Sequence, residues 1–398
     1  MDLYVVGSCE DMCPLAEALE RASHPAVCEA AFNPPIFVKR YVRPVAGAER
    51  ALANEVRPFN VLCATVRHLL LRVVGQSGLP LADTAEYVSD RLRAVRQDAR
   101  IQGLRGSHVV RLHLTAARFH SVIAYSLLAS GVGFDAVRND SMLVDALDAA
   151  DDAADIKHSD STVDMVPLLA ELSAYRLTLS TLETAEIITT LRAMPAVVAQ
   201  HNYVRKALIV PCAWHAGRDE RILAAVEFRD TFQHTTGIFE PGSRHGFFAS
   251  GSTCGVHLVV RYLSHRFISL ARVRLLRSII LSSSKTALLP MQDVVALLYP
   301  THATAIAVAA TRRLCLAFGL ELWCSRKGCQ PETRVVSIAD VRHGDDDVYF
   351  VRASRNVQID YRAVDAAVRV AMQPSLSPQL AVLDAECIAL LCTELLDA

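Results

Sequence analysis

The sequence predicts a mainly α-helical protein, in which a solenoid-like series of antiparallel helices ends in a winged-helix domain. Two observations predict this fold. Apolar residues recur at helical spacing in successive segments that are separated by short turns. After about residue 270, three helical segments precede strand-like segments, which is the order of elements in a winged helix. No period is regular enough to define the repeat, so the solenoid rests on the succession of helices.

The composition is that of a folded, reduced protein. At 398 residues the chain is long enough for two or three domains, and 52% hydrophobic with 21% charged residues is typical of folded proteins. We expect no membrane span, because every apolar stretch is interrupted before the roughly 18 residues that a spanning helix needs. The N-terminal residues lack the basic and apolar regions of a secretory signal. Eleven cysteines, an odd number, favour reduced thiols in the nucleus or cytoplasm.

Charge is divided along the chain although the net charge is only −1. Residues 140–192 contain eleven acidic and three basic residues, whereas residues 261–327 contain ten basic and two acidic residues. This asymmetry predicts that the C-terminal part meets a polyanion and that the middle of the chain repels one.

The predicted elements divide the chain into four parts. Helices are expected at residues 14–21, 58–74, 81–102, 109–128, 142–154, 166–175, 182–192, 218–228, 272–281, 291–299, 303–318 and 380–396. A short extended segment is expected at 288–290, strands at 334–338 and 347–351, and a long Gly- and Ser-rich surface loop at 237–255. We therefore expect an N-terminal cysteine motif and arginine-rich strap at 1–57, a helical-repeat domain at 58–270, a winged-helix domain at 271–370 and a C-terminal helix at 371–398.

The arginine-rich strap, residues 38–57, cannot be one regular element. Pro44 and Pro58 each remove a backbone donor and favour extended geometry in the residue before them. Residues 87–98 form a helical pattern in which arginines alternate with apolar positions, and Asp90, Arg93 and Arg96 are spaced for local pairing. So many arginines beside apolar residues predict guanidinium groups in buried or half-buried ion pairs that tie the first helices together.

Five short motifs in a fixed order resemble the signature of the GANP family (germinal-centre-associated nuclear protein) and its fungal Sac-type relatives. They are G-x-C-x-x-M-C-P from Gly7, V-K-x-Y-x-R-P-x-A-G from Val38, E-x-R-P from Glu55, D-R-x-R-A-x-R-Q-D from Asp90 and A-R-F-H from Ala117. The residues that the resemblance marks as structural are Cys9, Met12, Cys13, Pro14, Lys39, Tyr41, Arg43, Pro44, Gly47, Arg57, Pro58, Asp90, Arg91, Arg93, Arg96, Gln97, Asp98, Arg118 and Phe119.

The resemblance implies a PCI-type scaffold with no enzymatic activity that couples transcription to messenger-RNA export in the nucleus or at its periphery. It implies that the winged helix pairs with that of a second PCI-type subunit, helped by a small acidic subunit, and that the pair offers a basic platform for mRNA. Short members of the family are also linked to centrosomes and the spindle. A structural subunit of a proteasome-lid-like complex shares the architecture without any RNA role.

The candidate nucleic-acid-binding residues are basic side chains in and beside the predicted winged helix. They are Arg266, Arg272, Arg274, Arg277, Arg312, Arg313, Arg326 and Lys327. Such residues can contact phosphates without reading base sequence. Docking of another protein is the alternative use of the same surface. The predicted helix at 303–318 is otherwise almost entirely apolar, which indicates that much of it is buried.

Two patterns have a chemical interpretation beside a structural one. Cys9, Cys13, His24 and Cys28 have spacing that a structural zinc site tolerates, whereas the alternative is buried thiols. Cys324 and Cys329, in a predicted loop, form a weaker pair of the same kind.

An enzyme is the other class considered. Cys254, in the predicted Gly- and Ser-rich loop, has His245 and His257 nearby and permits a thiol nucleophile with a base, but no third orienting group accompanies it. We expect no catalytic residue, no cofactor, no metal and no small-molecule substrate.

Overall fold

The computed structural model describes residues 4–43, 52–75, 78–128, 134–154, 162–181, 183–219, 253–283, 288–299, 305–318, 320–325 and 348–352. Within these residues the protein is mainly helical. The helices are α1 (Leu15–Arg21), α2 (Val27–Ala30), α3 (Phe59–Arg67), α4 (Leu81–Ile101), α5 (Ser107–Leu128), α6 (Ala136–Ala153), α7 (Thr162–Leu179), α8 (Thr184–Ala193), α9 (Ala196–Ala199), α10 (Asn202–Ala207), α11 (Ile209–His215), α12 (Thr253–His265), α13 (Ile268–Ser282), α14 (Met291–Leu298) and α15 (Ala305–Ala317). A 3₁₀ turn occupies Ala53–Glu55, and α3 continues as a π-helix over His68–Val74.

Helix α5 lies at the centre of the main core and contacts α4, α6, α7 and α12. Its residues Leu112, Leu114, Phe119 and Ile123 are buried, because apolar side chains cover most of its circumference. Helix α4 is amphipathic instead and buries one stripe, which includes Val88, Leu92, Val95 and Ala99.

Helix α4 ends where the chain turns at Gly103. This glycine has a φ of 60°, and a Cβ atom on it would lie 2.4 Å from the ring of Tyr4. A larger residue at this position would therefore have an unfavourable backbone conformation and would also clash with the Tyr4 ring.

The C-terminal described residues form a second core with a small sheet. Strand β1 (Leu288–Pro290) lies between α13 and α14, while β2 (Glu321–Ser325) and β3 (Val348–Arg352) follow α15. Strand β3 is central and pairs antiparallel with both others, so the sheet order is β1–β3–β2. The register places Val351 opposite both Leu289 and Leu322.

A small apolar cluster links the two cores. Val210 and Ala213 of α11 pack with Phe267, Ile268 and Ala271 at the start of α13. Among the described residues, no helix combines the length and the apolar character that crossing a bilayer requires.

Most predicted helices within the described residues are confirmed, although α2, α9, α10, α11 and α12 have no predicted counterpart. The helix expected at 142–154 begins earlier, at Ala136, because the side chain of Asp135 caps it by accepting a hydrogen bond from the backbone N–H of Arg138. The helix expected at 166–175 spans Thr162–Leu179, with Pro167 in its first turns. The extended segment at 288–290 and a strand near 347–351 are confirmed by β1 and β3.

Two sequence predictions are wrong in part. The loop expected at 237–255 ends sooner, because helix α12 begins at Thr253 and buries Val256, Val259, Val260 and Leu263. Residues 321–325 form a strand that was not predicted, so Cys324 lies in β2 and not in a loop. The helices expected at 380–396 and over most of 218–228, the strand at 334–338 and Cys329 lie outside the described residues.

Candidate functional site

Asp98 joins the arginine-rich strap to helix α4. One carboxylate oxygen accepts hydrogen bonds from Nε of Arg57 at 2.7 Å and from the backbone N–H of Arg57 at 3.3 Å. The other accepts one from Nζ of Lys39 at 2.7 Å. The side chains of Arg57 and Asp98 have no solvent exposure. Two cations of the strap, 59 and 41 positions from Asp98 in sequence, therefore converge on one buried anion.

Glu29 is a second buried carboxylate with several donors. It accepts hydrogen bonds from Arg21 at 2.8 Å, from the Tyr87 hydroxyl at 3.0 Å and from Arg91 at 3.5 Å. Burial alone would raise the pKa of Glu29, but the backbone N–H of Ala26 and the charge of Arg21 outweigh it, and the pKa is lowered. Glu29 is thus held ionised as a junction between the N-terminal segment and α4.

Arg118 and Glu171 join α5 to α7. Nε and Nη2 of Arg118 donate to the two carboxylate oxygens of Glu171 at 2.7 and 3.1 Å. The hydroxyl of Tyr175 donates to the same carboxylate at 2.6 Å. Beside Arg118, the buried His120 ring lies 3.0 Å from the side-chain oxygen of Asn139. These contacts confirm the prediction that arginines of the motifs form buried pairs between helices.

The predicted local pairing of Asp90 with Arg93 and Arg96 is wrong. Asp90 pairs with its neighbour Arg91, and it accepts a hydrogen bond from the backbone N–H of Tyr41. The guanidinium of Arg93 lies 3.8 Å from the centre of the Tyr41 ring, and Arg96 is buried with Asp145 at 3.9 Å. The strap and a neighbouring helix supply these partners, which helical spacing cannot reveal.

The remaining motif residues hold the N-terminal segment in place. The backbone N–H of Gly7 donates to Gln102, and a Cβ atom on Gly7 would lie 2.6 Å from the carbonyl oxygen of Val56. The side chain of Gln97 donates to the carbonyl of Val42 at 2.9 Å. Pro14 directly precedes α1, and Pro58 directly precedes α3. Phe119 is buried, Met12 is partly buried and Arg43 is exposed. Pro44 and Gly47 lie outside the described residues.

The N-terminal cysteines are free thiols. Cys9, Cys13 and Cys28 are buried, whereas His24 is exposed and lies 3.0 Å from the Ser23 hydroxyl. Burial, with the charge of Glu17, raises the pKa of Cys13 to about 11. Within the described part of the chain, no three His, Cys, Asp or Glu side chains are placed to hold a metal ion.

Three of the candidate basic residues are engaged within the molecule. Arg266 donates from both Nη atoms to Asp140 at 3.2 Å. Arg272 is buried, donates to the carbonyl of Leu298 at 3.0 Å and stacks on the Tyr299 ring. Arg274 lies over the Trp214 ring at 4.1 Å and pairs with Asp219 at 3.4 Å. These arginines hold α13 against its neighbours, which limits what they can offer to an external phosphate.

Arg277 and Arg313 are the described candidates that face solvent. Both side chains are exposed, and no ion pair joins either of them to another described residue. Arg312 is partly exposed. Helix α15 otherwise buries Ala307, Ala310, Thr311, Leu314 and Cys315, as its apolar sequence predicts. Arg326 and Lys327 lie outside the described residues.

The candidate nucleophile Cys254 lies in a regular helix. Cys254 and His257 both belong to α12, and His245 lies outside the described residues. The expectation that Cys254 lies in a flexible loop is therefore wrong.

The buried anions Glu29 and Glu171 and the tyrosines beside them are not predicted from the sequence. Arg91 lies 62 positions from Glu29, and Arg118 lies 53 positions from Glu171. The only local sign is a glutamate inside an apolar helical pattern, as at Glu171 in α7. Such a glutamate is almost never fully buried unless it is paired.

These features define a mainly helical protein whose N-terminal strap is fixed by buried ion pairs and whose C-terminal unit carries exposed arginines. The family model described as the SAC3/GANP family matches residues 12–321. The chain therefore belongs to the SAC3/GANP family. It is also similar to SAC3 family protein 1 of Schizosaccharomyces pombe, with 35% identity over 129 residues that cover 31% of this chain and 12% of that protein.

Proposed function

We propose that this chain is a non-enzymatic nuclear scaffold that couples transcription to mRNA export. Membership of the SAC3/GANP family supports this role. In the proposal, the strap occupies residues 1–57 and a PCI-like helical repeat occupies residues 58–270. A winged helix follows at residues 271–370, and a C-terminal helix at residues 371–398. The winged helix pairs with that of a second PCI-type subunit, a small acidic subunit stabilises the pair, and the chain works in the nucleus or at its periphery.

The observation that carries the winged-helix assignment is the layout of residues 268–352. A helix, a short strand, two helices and two further strands follow in that order, and the last strand is central in the sheet. A winged helix has the same arrangement, with its third helix and its wing free to meet a partner. Because α15 buries most of its apolar side chains, we place its partner contacts on the exposed Arg313.

RNA binding by this unit rests on charge and not on base recognition. Arg277 and Arg313 are exposed cations, and arginine binds phosphate oxygens strongly and in a planar geometry. The acidic residues of α6, which include Asp145, Asp148 and Asp151, are exposed outside the C-terminal unit, and their negative charge disfavours a polyanion there. RNA is therefore expected on the C-terminal unit.

The test compares the full chain with two charge-matched double variants, using a fluorescent 20-nucleotide single-stranded RNA. Arg277→Glu/Arg313→Glu is expected to weaken binding at least tenfold. It is also expected to reduce the magnitude of the slope of log affinity against log salt concentration by about 1.4. Each lost phosphate contact to a single strand reduces the magnitude of that slope by about 0.7. Arg192→Glu/Arg205→Glu changes the net charge equally at exposed positions on α8 and α10 and is expected to bind normally. Equal losses in both variants would contradict the proposed site.

A further inference from the structure

A groove of about 440 Å³ lies between the outer face of α3, with its π-helical continuation, and the N-terminal segment. Its lining residues are Met12, Ile36, Asn60, Cys63, Ala64, Arg67, His68, Leu71 and Arg72. The residues from 60 to 72 recur every three or four positions, so one continuous helical face forms the floor. The proposed function uses none of these residues.

The wall opposite the helix is held by the buried ion pairs. The carbonyl oxygen of Met12 accepts hydrogen bonds from Nη1 of Arg57 at 3.3 Å and from the backbone N–H of Lys39 at 3.0 Å. Both donors belong to residues whose side chains are fixed on Asp98. The groove is therefore already formed in the free protein, which lowers the entropic cost of binding.

The rim of the groove is positively charged. Arg67 and Arg72 are both exposed, and the guanidinium of Arg72 lies 5.2 Å from the centre of the Phe32 ring. The centres of the Phe32 and His68 rings lie 5.4 Å apart, so the ring beneath Arg72 is itself held by packing. None of the described residues that line the groove is acidic.

The floor of the groove is neutral and mostly apolar. Burial, with the charge of Arg72, lowers the pKa of His68 to about 4, so its ring is uncharged at neutral pH. Cys63, Ala64 and Leu71 complete the floor. The volume of the groove lies near the lower end of the usual range for ligand pockets. The groove can therefore hold a few side chains but not a folded domain.

We propose that this groove binds an acidic amphipathic helix from a partner protein. Large aliphatic side chains of that helix fill the floor between Ala64 and Leu71, and carboxylates on its flanks pair with Arg67 and Arg72. This is the helix-in-groove mode of peptide recognition, with charge setting the orientation. RNA fits the groove less well, because the floor offers nothing to phosphates and no Phe, Tyr or Trp on which bases stack is among the described lining residues.

The probe that tests this proposal is a fluorescein-labelled 16-residue peptide of Leu, Ala and Glu, with leucines on one helical face and glutamates on the other. The full chain is expected to bind it saturably, and a peptide with Lys in place of Glu is expected not to bind. Ala64→Trp places a bulky side chain in the groove at an exposed position and is expected to weaken binding at least tenfold. Arg67→Glu/Arg72→Glu is expected to do the same.

Arg192→Glu/Arg205→Glu serves again as the charge-matched control and is expected to bind the peptide normally. If Arg67→Glu/Arg72→Glu unfolds, as circular dichroism would reveal, Ala64→Trp alone decides the outcome. The proposal is overturned if the peptide does not bind, if Ala64→Trp binds it normally, or if single-stranded RNA displaces it from the groove. These results are independent of RNA binding at Arg277 and Arg313, so this inference and the proposed function can fail separately.

Discussion

At the residue scale, the most important feature is a small number of buried carboxylates that each neutralise cations from distant parts of the chain. Asp98 holds Arg57 and Lys39, which lie 41 and 59 positions away, and Glu29 holds the nearby Arg21 together with Arg91, which lies 62 positions away. Removing one member of a buried pair leaves an uncompensated charge, which costs more than the pair itself contributes. These carboxylates therefore specify how the strap lies on the helices.

Asp98→Asn is expected to lower the free energy of unfolding by about 3–5 kcal/mol, because Arg57 and Lys39 then share a buried site without an anion. Urea denaturation of the full chain measures the change. Asp152→Asn is the matched control. Its partner Arg100 lies 3.7 Å away and both side chains are mostly exposed, so the change is expected to stay within about 0.5 kcal/mol. Equal effects of the two substitutions would refute the role of Asp98.

Buried histidines make the free energy of unfolding depend on pH. Burial, with the charges of Arg96 and Arg100, lowers the pKa of His113 to about 3, and burial likewise lowers that of His120 to about 3. Between these values and about 6.5, the unfolded chain binds protons that the folded protein does not. The free energy of unfolding therefore decreases as the pH falls through this window.

His113→Gln is expected to reduce the slope of the free energy of unfolding against pH by up to about 1.4 kcal/mol per pH unit. Chemical denaturation between pH 5 and 6.5 measures this slope above the range in which Glu29 titrates. His24→Gln, at an exposed position, is expected to leave the slope unchanged. An unaltered slope in His113→Gln would show that its protonation is not coupled to unfolding.

The sequence predicted buried arginine pairs but not their partners. Arg57 and Arg118 could be singled out because they lie beside apolar residues in recognisable motifs. Asp98 is recognisable as the last residue of its motif, whereas Glu29 has no distinguishing local sequence and Glu171 has only its place inside an apolar helical pattern. Partner choice depends on how the helices pack, and a single sequence does not contain that information.

At the scale of elements, long helices with regular apolar spacing were predictable and short or irregular elements were not. Helices α4 and α5 match their predicted ranges within a few residues, because Gly103 and Gly106 separate two strongly periodic segments. No helix is predicted over residues 253–265, since the glycines and serines before Thr253 favour a loop, whereas the structure has helix α12 there. Strand β2 is specified by its pairing with β3, which lies far along the chain.

Asp135→Ala tests the end of α6. The side chain of Asp135 accepts a hydrogen bond from the backbone N–H of Arg138 at 2.9 Å, which satisfies a donor that the helix cannot satisfy itself. Loss of this cap is expected to lower the free energy of unfolding by about 1 kcal/mol. Asp135→Ser retains a capping oxygen and is expected to lose only a few tenths of that amount. Denaturation curves that do not distinguish the two variants would contradict the capping role.

At the scale of the whole molecule, two apolar cores meet through a small cluster at α11 and α13. The arginines of this junction are largely used internally, since Arg266, Arg272 and Arg274 contact Asp140, Tyr299 and Trp214. The sequence marks all three as candidates for phosphate contact or for protein docking, because composition alone cannot separate internal from external cations. Among the described candidates, Arg277 and Arg313 remain exposed, which makes the proposed RNA contact specific enough to test.

Purification of the tagged full chain from nuclear extract, with and without nuclease and with identification by mass spectrometry, tests the scaffold proposal most directly. The account predicts a second PCI-type protein, a small acidic subunit and export factors, and predicts that the first two remain after nuclease treatment. Recovery of proteasome-lid or centrosomal proteins instead, with no RNA, would contradict the export role.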